Sequence, residues 1–417
     1  MEKYRLQLQA ALMPQSPLYV TRDAEVEVLA ELRSENPSFL LISEPRQQGK
    51  TSFINYLLGH AGLAHCCFVS INAGPINRNT SEEDWYHLFS QEIARQLNVH
   101  TFFGDKLTHY ATHGEWREQL ISLSQIAFQH NCVIVIAIDE IGHLPASWRE
   151  SFLAATCALR DSRGSISSLN AITFLFVGSF RPDAMITDGN ISPFNKARPI
   201  ELRDFTNAQV ANLLQRIGAD DDLIKELLPR LYYWTDGQPY LVQQLAYLVL
   251  KQSPSSITVE TVDKQAYQLE RTDKLLLPTI FSRLRTNRQW LKKAEQILNG
   301  EKIEFAPASL VWQAELATLG LIKEEQSTAN CVIRNPIYAR ALRRLLLALK
   351  EASDEPDSRN QIRHHLNELL IEHRRRKEQL EIRKARFGIN TPAEVVIEIE
   401  DIDKQVASCV EQLVVLS

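Results

Sequence analysis

Ser38-Phe39-Leu40-Leu41-Ile42-Ser43 runs directly into Glu44-Pro45-Arg46-Gln47-Gln48-Gly49-Lys50-Thr51-Ser52. The first six residues read as a short buried strand, and Phe53 to Leu58 beyond the second run reads as a helix. Strand, turn and helix with Gly-Lys-Thr at the turn line up with G-x-x-x-x-G-K-[ST]. Gly49 allows the backbone to approach a phosphate. Successive N–H groups and the helix N-terminus offer partial positive charge there. Lys50 can reach the β- and γ-phosphates, and the Thr51 hydroxyl can bind Mg²⁺. Glu44 stands where the pattern has its first Gly. A carboxylate is unhelpful beside a triphosphate unless it points away, and a residue before Pro45 favours extended backbone. Glu44 is therefore expected to end the strand.

Four further β-rich runs follow: Cys66 to Asn72, Cys132 to Asp139, Ile172 to Ser179, and Arg198 to Leu202. Each is short and mostly apolar on both faces, as a buried parallel strand should be. Helical patterns separate them, one of them opening at Thr80 with Glu83 as a capping box. The expectation is an α/β domain with a parallel five-stranded sheet. Val133 to Ile138 is an apolar run that exits into Asp139 and Glu140. Ligands bind at the C-terminal edge of such a sheet. Asp139 is expected in the Mg²⁺ shell, and Glu140 is expected to orient the attacking water. The strand at Cys66 to Asn72 intervenes in sequence between loop and acids. It marks the branch of P-loop ATPases whose two nucleotide strands are not neighbours.

The chain has 417 residues, 44% apolar and 23% charged, which suits two or three soluble domains. A net charge of −5 excludes a general polycation. No apolar run approaches the length of a spanning helix, and Met1 to Arg5 lacks a secretory signal, so a cytoplasmic protein is expected without membrane partners. Six cysteines, none in C-x-x-C spacing, argue against a zinc site or a disulfide framework.

Residues 206–252 read as helical, interrupted at Asp236-Gly237-Gln238-Pro239. Residues 257–350 carry helices and one short hairpin: Leu319 to Ile322, a turn at Gln326 to Asn330, then Cys331 to Ile333. That is the pattern of a winged helix. Residues 351–358 read as an acidic linker. Two helices follow, with Gly388 suiting the stop of the first and Pro392 the first turn of the second. Residues 359–386 carry nine Lys or Arg against four acids, and residues 392–417 carry one Lys against six acids. Opposite charge favours an antiparallel helical hairpin. Apolar residues at 362, 366, 369, 370 and 380 give the first helix one face. Those at 395, 399, 402, 406, 410 and 413 do so for the second. The expected domains are 1–205, 206–256, 257–350 and 359–417.

With these residues in view, the sequence resembles the AAA-like P-loop ATPases of bacterial STAND type, nucleotide-operated switches of the wider AAA+ class. Ser16-Pro17-Leu18-Tyr19-Val20-Thr21-Arg22 resembles the family's adenine-side segment, which implies nucleotide contacts for Tyr19, Val20 and Arg22. Pro45 to Ser52 resembles its P-R-Q-x-G-K-[ST]-S loop, which brings in Arg46, Gln47, Gln48 and Ser52. Phe176-Val177-Gly178-Ser179 resembles the strand ending in a polar sensor, so Ser179 is implied to touch the γ-phosphate or the water. Ser192-Pro193-Phe194-Asn195-Lys196-Ala197-Arg198 resembles S-P-F-N-x-x-R, which makes Arg198 a candidate γ-phosphate reader, in cis or across a subunit interface. Asp204-Phe205-Thr206 is similar to the entry into a helical lid. Thr235 to Leu241 resembles the lid's G-x-P signature, with Pro239 against the nucleotide. Arg334-Asn335-Pro336-Ile337-Tyr338 resembles the end of the winged-helix module. Ala385 to Pro392 with Ile397 to Ile402 resembles a small helical module of STAND and caspase-like defence proteins.

The resemblance implies ATP or ADP with Mg²⁺, slow hydrolysis, self-association, and a separate effector protein recruited through residues 359–417. It also implies a setting in bacterial antiviral or stress defence. Two other readings stay open. One is a DNA-associated AAA+ ATPase, a transposition regulator or initiator-like loader, motivated by the winged helix and Arg374-Arg375-Arg376-Lys377. Nucleic-acid contact at that cluster is not favoured, because a charge run is usually a solvated face. The other is a degenerate, non-hydrolysing scaffold, motivated by Glu44.

Overall fold

The computed structural model describes residues 11–60, 62, 65–104, 112–186, 188–252, 256–354, 356–387 and 393–415. The chain divides into two compact units, one ending at Ala341 and the other beginning at Leu342.

The first unit opens with α1 (Asp23–Leu32), β1 (Leu40–Ser43), α2 (Lys50–His60), β2 (Cys66–Asn72), α3 (Glu82–Leu97) and α4 (His113–Gln129). It continues with β3 (Val133–Asp139), α5 (Arg149–Asp161), β4 (Ile172–Gly178), α6 (Pro182–Met185) and the two-residue β5 (Arg198–Pro199). The five strands form one parallel sheet in the order β2-β3-β4-β1-β5. The two strands expected to frame the nucleotide, β1 and β3, are thus not neighbours. The strand that separates them in space is β4, whereas the sequence-intervening β2 lies on the far edge.

Successive strand residues point to opposite faces, and both faces are covered here. Leu41, Val69, Ile71, Ile136, Ile138, Phe174 and Phe176 pack against the aromatic layer of Trp85, Phe89, Trp116 and Phe152 from α3, α4 and α5. Leu40, Ile42, Phe68, Val135, Ala137, Leu175 and Val177 pack against Val28 of α1 and Phe53, Ile54 and Leu57 of α2. Burial on both sides is why these strands read as unbroken apolar runs. The capping box of α3 is Ser81 with Asp84, one residue on from the expected Thr80 and Glu83. Both quartets fit the pattern, and the Ser81 hydroxyl is the one that accepts from the Asp84 N–H, at 3.0 Å.

Three helices follow the sheet, α7 (Asn207–Arg216), α8 (Asp221–Thr235) and α9 (Pro239–Leu250). Thr206 and Gln238 cap α7 and α9 through their side chains. The next helix, α10 (Val259–Thr272), belongs to the same body. Asp263 on it accepts from Trp234 Nε1 at 2.7 Å and pairs with Arg230, both on α8. The expected border at residue 256 therefore falls within one helical layer.

Then come α11 (Leu277–Thr286), α12 (Arg288–Leu298), α13 (Val311–Thr318), the antiparallel hairpin β6 (Ile322–Glu324) and β7 (Cys331–Ile333), and α14 (Pro336–Asp354). Asn335 caps α14, its Oδ1 accepting from Tyr338 N at 3.0 Å. The expected linker at 351–358 is largely helical, since α14 reaches Asp354 and α15 (Pro356–Phe387) begins two residues on.

In the second unit α15 and α16 (Ala393–Val415) run antiparallel. Leu380 meets Ile399 and Ile402 near one end, and Leu366 and Leu370 meet Cys409 near the other. Lys377 pairs with Asp403 at 2.5 Å. Val410, expected on the apolar face, is exposed, and Cys409 takes the buried place. The side chains at 362 and 395, and the break at Gly388 to Pro392, lie outside the described residues.

Candidate nucleotide site

The register of the sheet sets the site. Asn72 pairs with Asp139, and Ser43 pairs with Gly178. The exits of β1, β2, β3 and β4 therefore share one edge, where a cleft of about 490 Å³ opens. Parallel sheets place ligands at this edge.

The loop after β1 forms the floor. Gln47 and Gly49 have φ of 62° and 84°, and Lys50 starts the eleven-residue α2. Left-handed turns of this kind at a helix start make a concavity for anions. Arg46, Gln47, Gly49, Lys50, Thr51 and Ser52 all line the cleft. Thr51 Oγ1 donates to Asp139 Oδ2 at 2.7 Å. A hydroxyl and a carboxylate so placed offer the few hard oxygen ligands that Mg²⁺ takes from a protein beside a phosphate, so the residues fit that ion. Burial raises the Asp139 carboxyl above its usual range, and the Thr51 hydrogen bond opposes this.

Lys50 is buried. Its Nζ donates to Glu44 O at 2.9 Å, Pro45 O at 2.7 Å and Ser179 Oγ at 2.7 Å. Burial pulls the ammonium down to about 8, against the nearby Glu140 and Asp139. Ser179 thus meets the loop through Lys50. Glu140 lines the cleft beside Asp139 and has φ of 55°, a left-handed position at the strand exit. Its own N–H donates to Asp139 Oδ1 at 2.9 Å.

Tyr19, Val20 and Arg22 form one wall, and Pro239, Tyr240 and Gln243 of α9 form another with Phe205. The Tyr19 hydroxyl donates to Glu25, and its ring stacks on Tyr56 with centroids 4.6 Å apart. Arg22 Nη1 donates to Gln48 O at 3.0 Å, which ties this wall to the loop. The Ser52 hydroxyl accepts from Leu12 N at 3.0 Å.

Ser179 does not line the cleft, and two further expected site residues lie elsewhere. The Gln48 side chain turns away from the cleft, its Nε2 donating to Leu202 O at 2.8 Å and Asp204 Oδ1 at 2.9 Å. Arg198 stands at the opposite end of the sheet, paired in register with Leu40 and bridged to Glu27 at 2.7 Å and Glu31 at 2.6 Å. A residue that starts a parallel strand sits away from the C-terminal edge, so within one chain Arg198 is far from the loop. Glu44 follows the end of β1 and does not line the cleft. Its Oε1 accepts from Leu202 N at 3.0 Å, and burial pushes its carboxyl up to about 7.

Sequence reasoning missed Asn72, Gly74 and His143, which line the cleft beside the acids. Asn72 had a readable signal, since it is the polar exit of an apolar strand, as Asp139 is. It also missed Arg334, just after the β6–β7 hairpin. This buried guanidinium donates to Gln48 Oε1 at 2.8 Å and pairs with Asp204 at 2.5 Å. Gly320, before β6, has φ of +75°, and a Cβ there would meet Pro45 Cβ at 2.9 Å. The hairpin segment therefore packs on the back of the loop. Lys323 on β6 also pairs with Asp236 at the entry to α9.

A sequence-family profile described as an AAA-like domain matches residues 8–344. An uncharacterized WD repeat-containing protein of Synechocystis is 26% identical over 258 residues, 58% of this chain and 21% of that protein. The chain thus spans about a fifth of the length of that curated relative. Among solved structures, the ORC2 protein of Aeropyrum pernix in ADPNP–ADP complexes is 15% identical, with 84% of this chain and 99% of that one covered at a TM-score of 0.46. Cdc6p of Pyrobaculum aerophilum is 15% identical, with 82% and 97% covered at 0.40. Drosophila ORC bound to DNA is 12% identical, with 79% and 96% covered at 0.42. At that overlap no property of these proteins transfers to the chain.

Proposed function

The chain belongs to the AAA-like domain family, and from that membership we propose that it is a Mg²⁺-dependent ATP-binding switch of STAND type. ADP holds the helical lid and the winged-helix-like segment closed over the loop. Exchange for ATP opens them and allows self-association. Slow hydrolysis of ATP to ADP and phosphate resets the state. Thr51 and Asp139 hold the metal, Lys50 meets the β- and γ-phosphates, and Glu140 orients the water, with Ser179 on the γ side. When bound, the ion neutralises charge between the two terminal phosphates. Tyr19, Val20 and Pro239 enclose the base.

The observation that supports this reading is the tie of the hairpin segment to both the loop and the lid entry. Arg334 reaches the loop at Gln48, and Lys323 reaches the lid entry at Asp236. A ligand that changes the loop has differential contacts to offer, which any population shift requires. Lys50 donates to two loop carbonyls and to Ser179, so phosphate binding competes with contacts of the loop that Arg334 grips.

The α15–α16 hairpin recruits a separate effector protein. Its support is that Ile371 and Ile382 on α15 and Val410 on α16 remain exposed beside a small apolar seam. Antiviral or stress defence follows from the family resemblance alone.

The test has two steps. The purified protein is denatured and the released nucleotide identified. The protein loaded with ADP or with a non-hydrolysable ATP analogue is then weighed by light scattering. Co-purified ADP and a mass increase only with the ATP analogue are expected. Equal mass in both states would sink the switch.

A further inference from the structure

Beyond nucleotide handling, the first unit carries a concentration of unpartnered positive charge at the elbow between α11 and α12. Residues 271–293 hold seven Lys or Arg and one acid, in a chain whose net charge is −5. The single acid, Asp273, is already engaged: Oδ1 accepts from the Tyr240 hydroxyl, and Oδ2 from Leu276 N and Leu277 N. Arg283, Arg285, Arg288 and Lys292 are exposed, and none of them has an ion pair among the described residues. Elsewhere in this unit many surface cations are answered, such as Arg95 by Glu92, Lys196 by Asp161 and Arg198 by Glu27 and Glu31.

Local helix physics accounts for only part of the pattern. Arg283 and Arg285 lie in the last turn of α11, where positive charge suits the dipole. Arg288 lies in the first turn of α12, where it opposes the dipole. Lys292 sits four residues further on the same face, a like-charge pair that weakens the helix. The fold does not repay that arrangement within the unit.

The surface is also poor in what a protein partner needs. Interfaces between proteins centre on large apolar or aromatic anchors, whereas within residues 271–293 the one large apolar side chain that is exposed is Leu275, with Leu310 and Val311 exposed further along the chain. The exposed neighbours are polar, such as Ser282, Thr286 and Gln289. Three of the four free cations are Arg, whose planar fork matches phosphate oxygens. We infer that the α11–α12 elbow, through Arg283, Arg285, Arg288 and Lys292, binds the phosphodiester backbone of a nucleic acid. The contact is to phosphate oxygens, so binding is expected to be independent of sequence. The Arg374 to Lys377 run on α15 is the weaker site, because Lys377 is paired with Asp403 and Glu381.

The test is fluorescence anisotropy of a labelled DNA duplex and a labelled RNA duplex titrated with the full chain from 50 to 200 mM salt. Four neutralised phosphates give a slope of log affinity against log salt near −3.6, which is roughly a hundredfold weakening over that range. The triple variant R283Q/R285Q/R288Q is expected to lose roughly three-quarters of that slope while binding ATP as wild type does, which reports an intact fold. The double variant R374Q/R375Q is expected to keep it. The DNA and RNA arms say which polymer is preferred. Absence of binding at 50 mM, an unchanged slope in the triple variant, or equal competition by poly-glutamate would each overturn the assignment.

Discussion

Arg334 and Gln48 stand 286 positions apart in sequence and share a hydrogen bond of 2.8 Å at the back of the phosphate loop. Gln48 is the loop residue that leaves the cleft, and its amide nitrogen holds Leu202 and Asp204 while its oxygen accepts from Arg334. One buried amide thus joins the loop, the segment leading from β5 into the lid, and the end of the hairpin. Arg22 grips the same residue from the other side, through its carbonyl. A loop held at three points cannot change shape alone.

Arg334→Ala is expected to loosen this joint. The Arg334 side chain is 8% exposed and its partner Asp204 is 23% exposed. Breaking such a pair leaves a partly buried carboxylate that keeps the Gln48 amide as a donor, and the cost falls near the low end of the range for buried pairs, about 3 kcal/mol. Urea denaturation of the ADP-bound protein reads the loss. Release of a fluorescent ADP analogue is expected to accelerate in parallel. A variant with wild-type midpoint and release rate would show that the joint holds nothing.

The proposed site divides its work between two residues that can be removed separately. Lys50→Ala is expected to weaken ATP binding roughly 10- to 100-fold, the worth of a charge-assisted contact. Glu140→Gln is expected to keep ATP bound while turnover falls by roughly 10²–10⁴, as for loss of a general base. Calorimetry and phosphate release check the two. Wild-type turnover in Glu140→Gln would remove that residue from the chemistry.

Much of this site was legible in the sequence because it is built from contiguous runs. An apolar strand that exits into Asp139 and a strand that exits into Gly-Lys-Thr announce themselves locally. The parts that were not legible are those set by long-range packing. Arg334 carries no periodicity that points to Gln48. Ser81 took the cap from Thr80 because two overlapping quartets fit one pattern, and only packing chooses. Helices α14 and α15 take up most of an acidic stretch that composition reads as a linker. The placement of Arg198 could have been drawn from its position at the start of a strand.

Arg198→Ala tests that placement. Its guanidinium serves two carboxylates of α1 at the end of the sheet away from the loop. It is half exposed, so its loss is expected to cost no more than about 1 kcal/mol. Nucleotide affinity and turnover in dilute protein are expected to match wild type. A fall in turnover confined to concentrations where the chain self-associates would assign Arg198 to a neighbour's cleft.

Glu44 supplies a pH signature. Burial raises its carboxyl from the ordinary 4.5 to about 7, against the opposing hydrogen bond from Leu202. The folded value lies above the unfolded one, so folding takes up a proton between them. The group's contribution is complete below about 4.5 and is lost as the pH rises through about 7. One proton limits the slope to about 1.4 kcal/mol per pH unit. Glu44→Gln keeps an acceptor for the Leu202 N–H but cannot ionise. The variant is therefore expected to gain on wild type steadily across that window, and to run parallel to it above and below. Urea unfolding of the nucleotide-free protein at half-unit pH steps reads the difference. A difference that stays flat through the window would mean that the carboxylate remains charged and well solvated, and the cause assigned to its shift would be wrong.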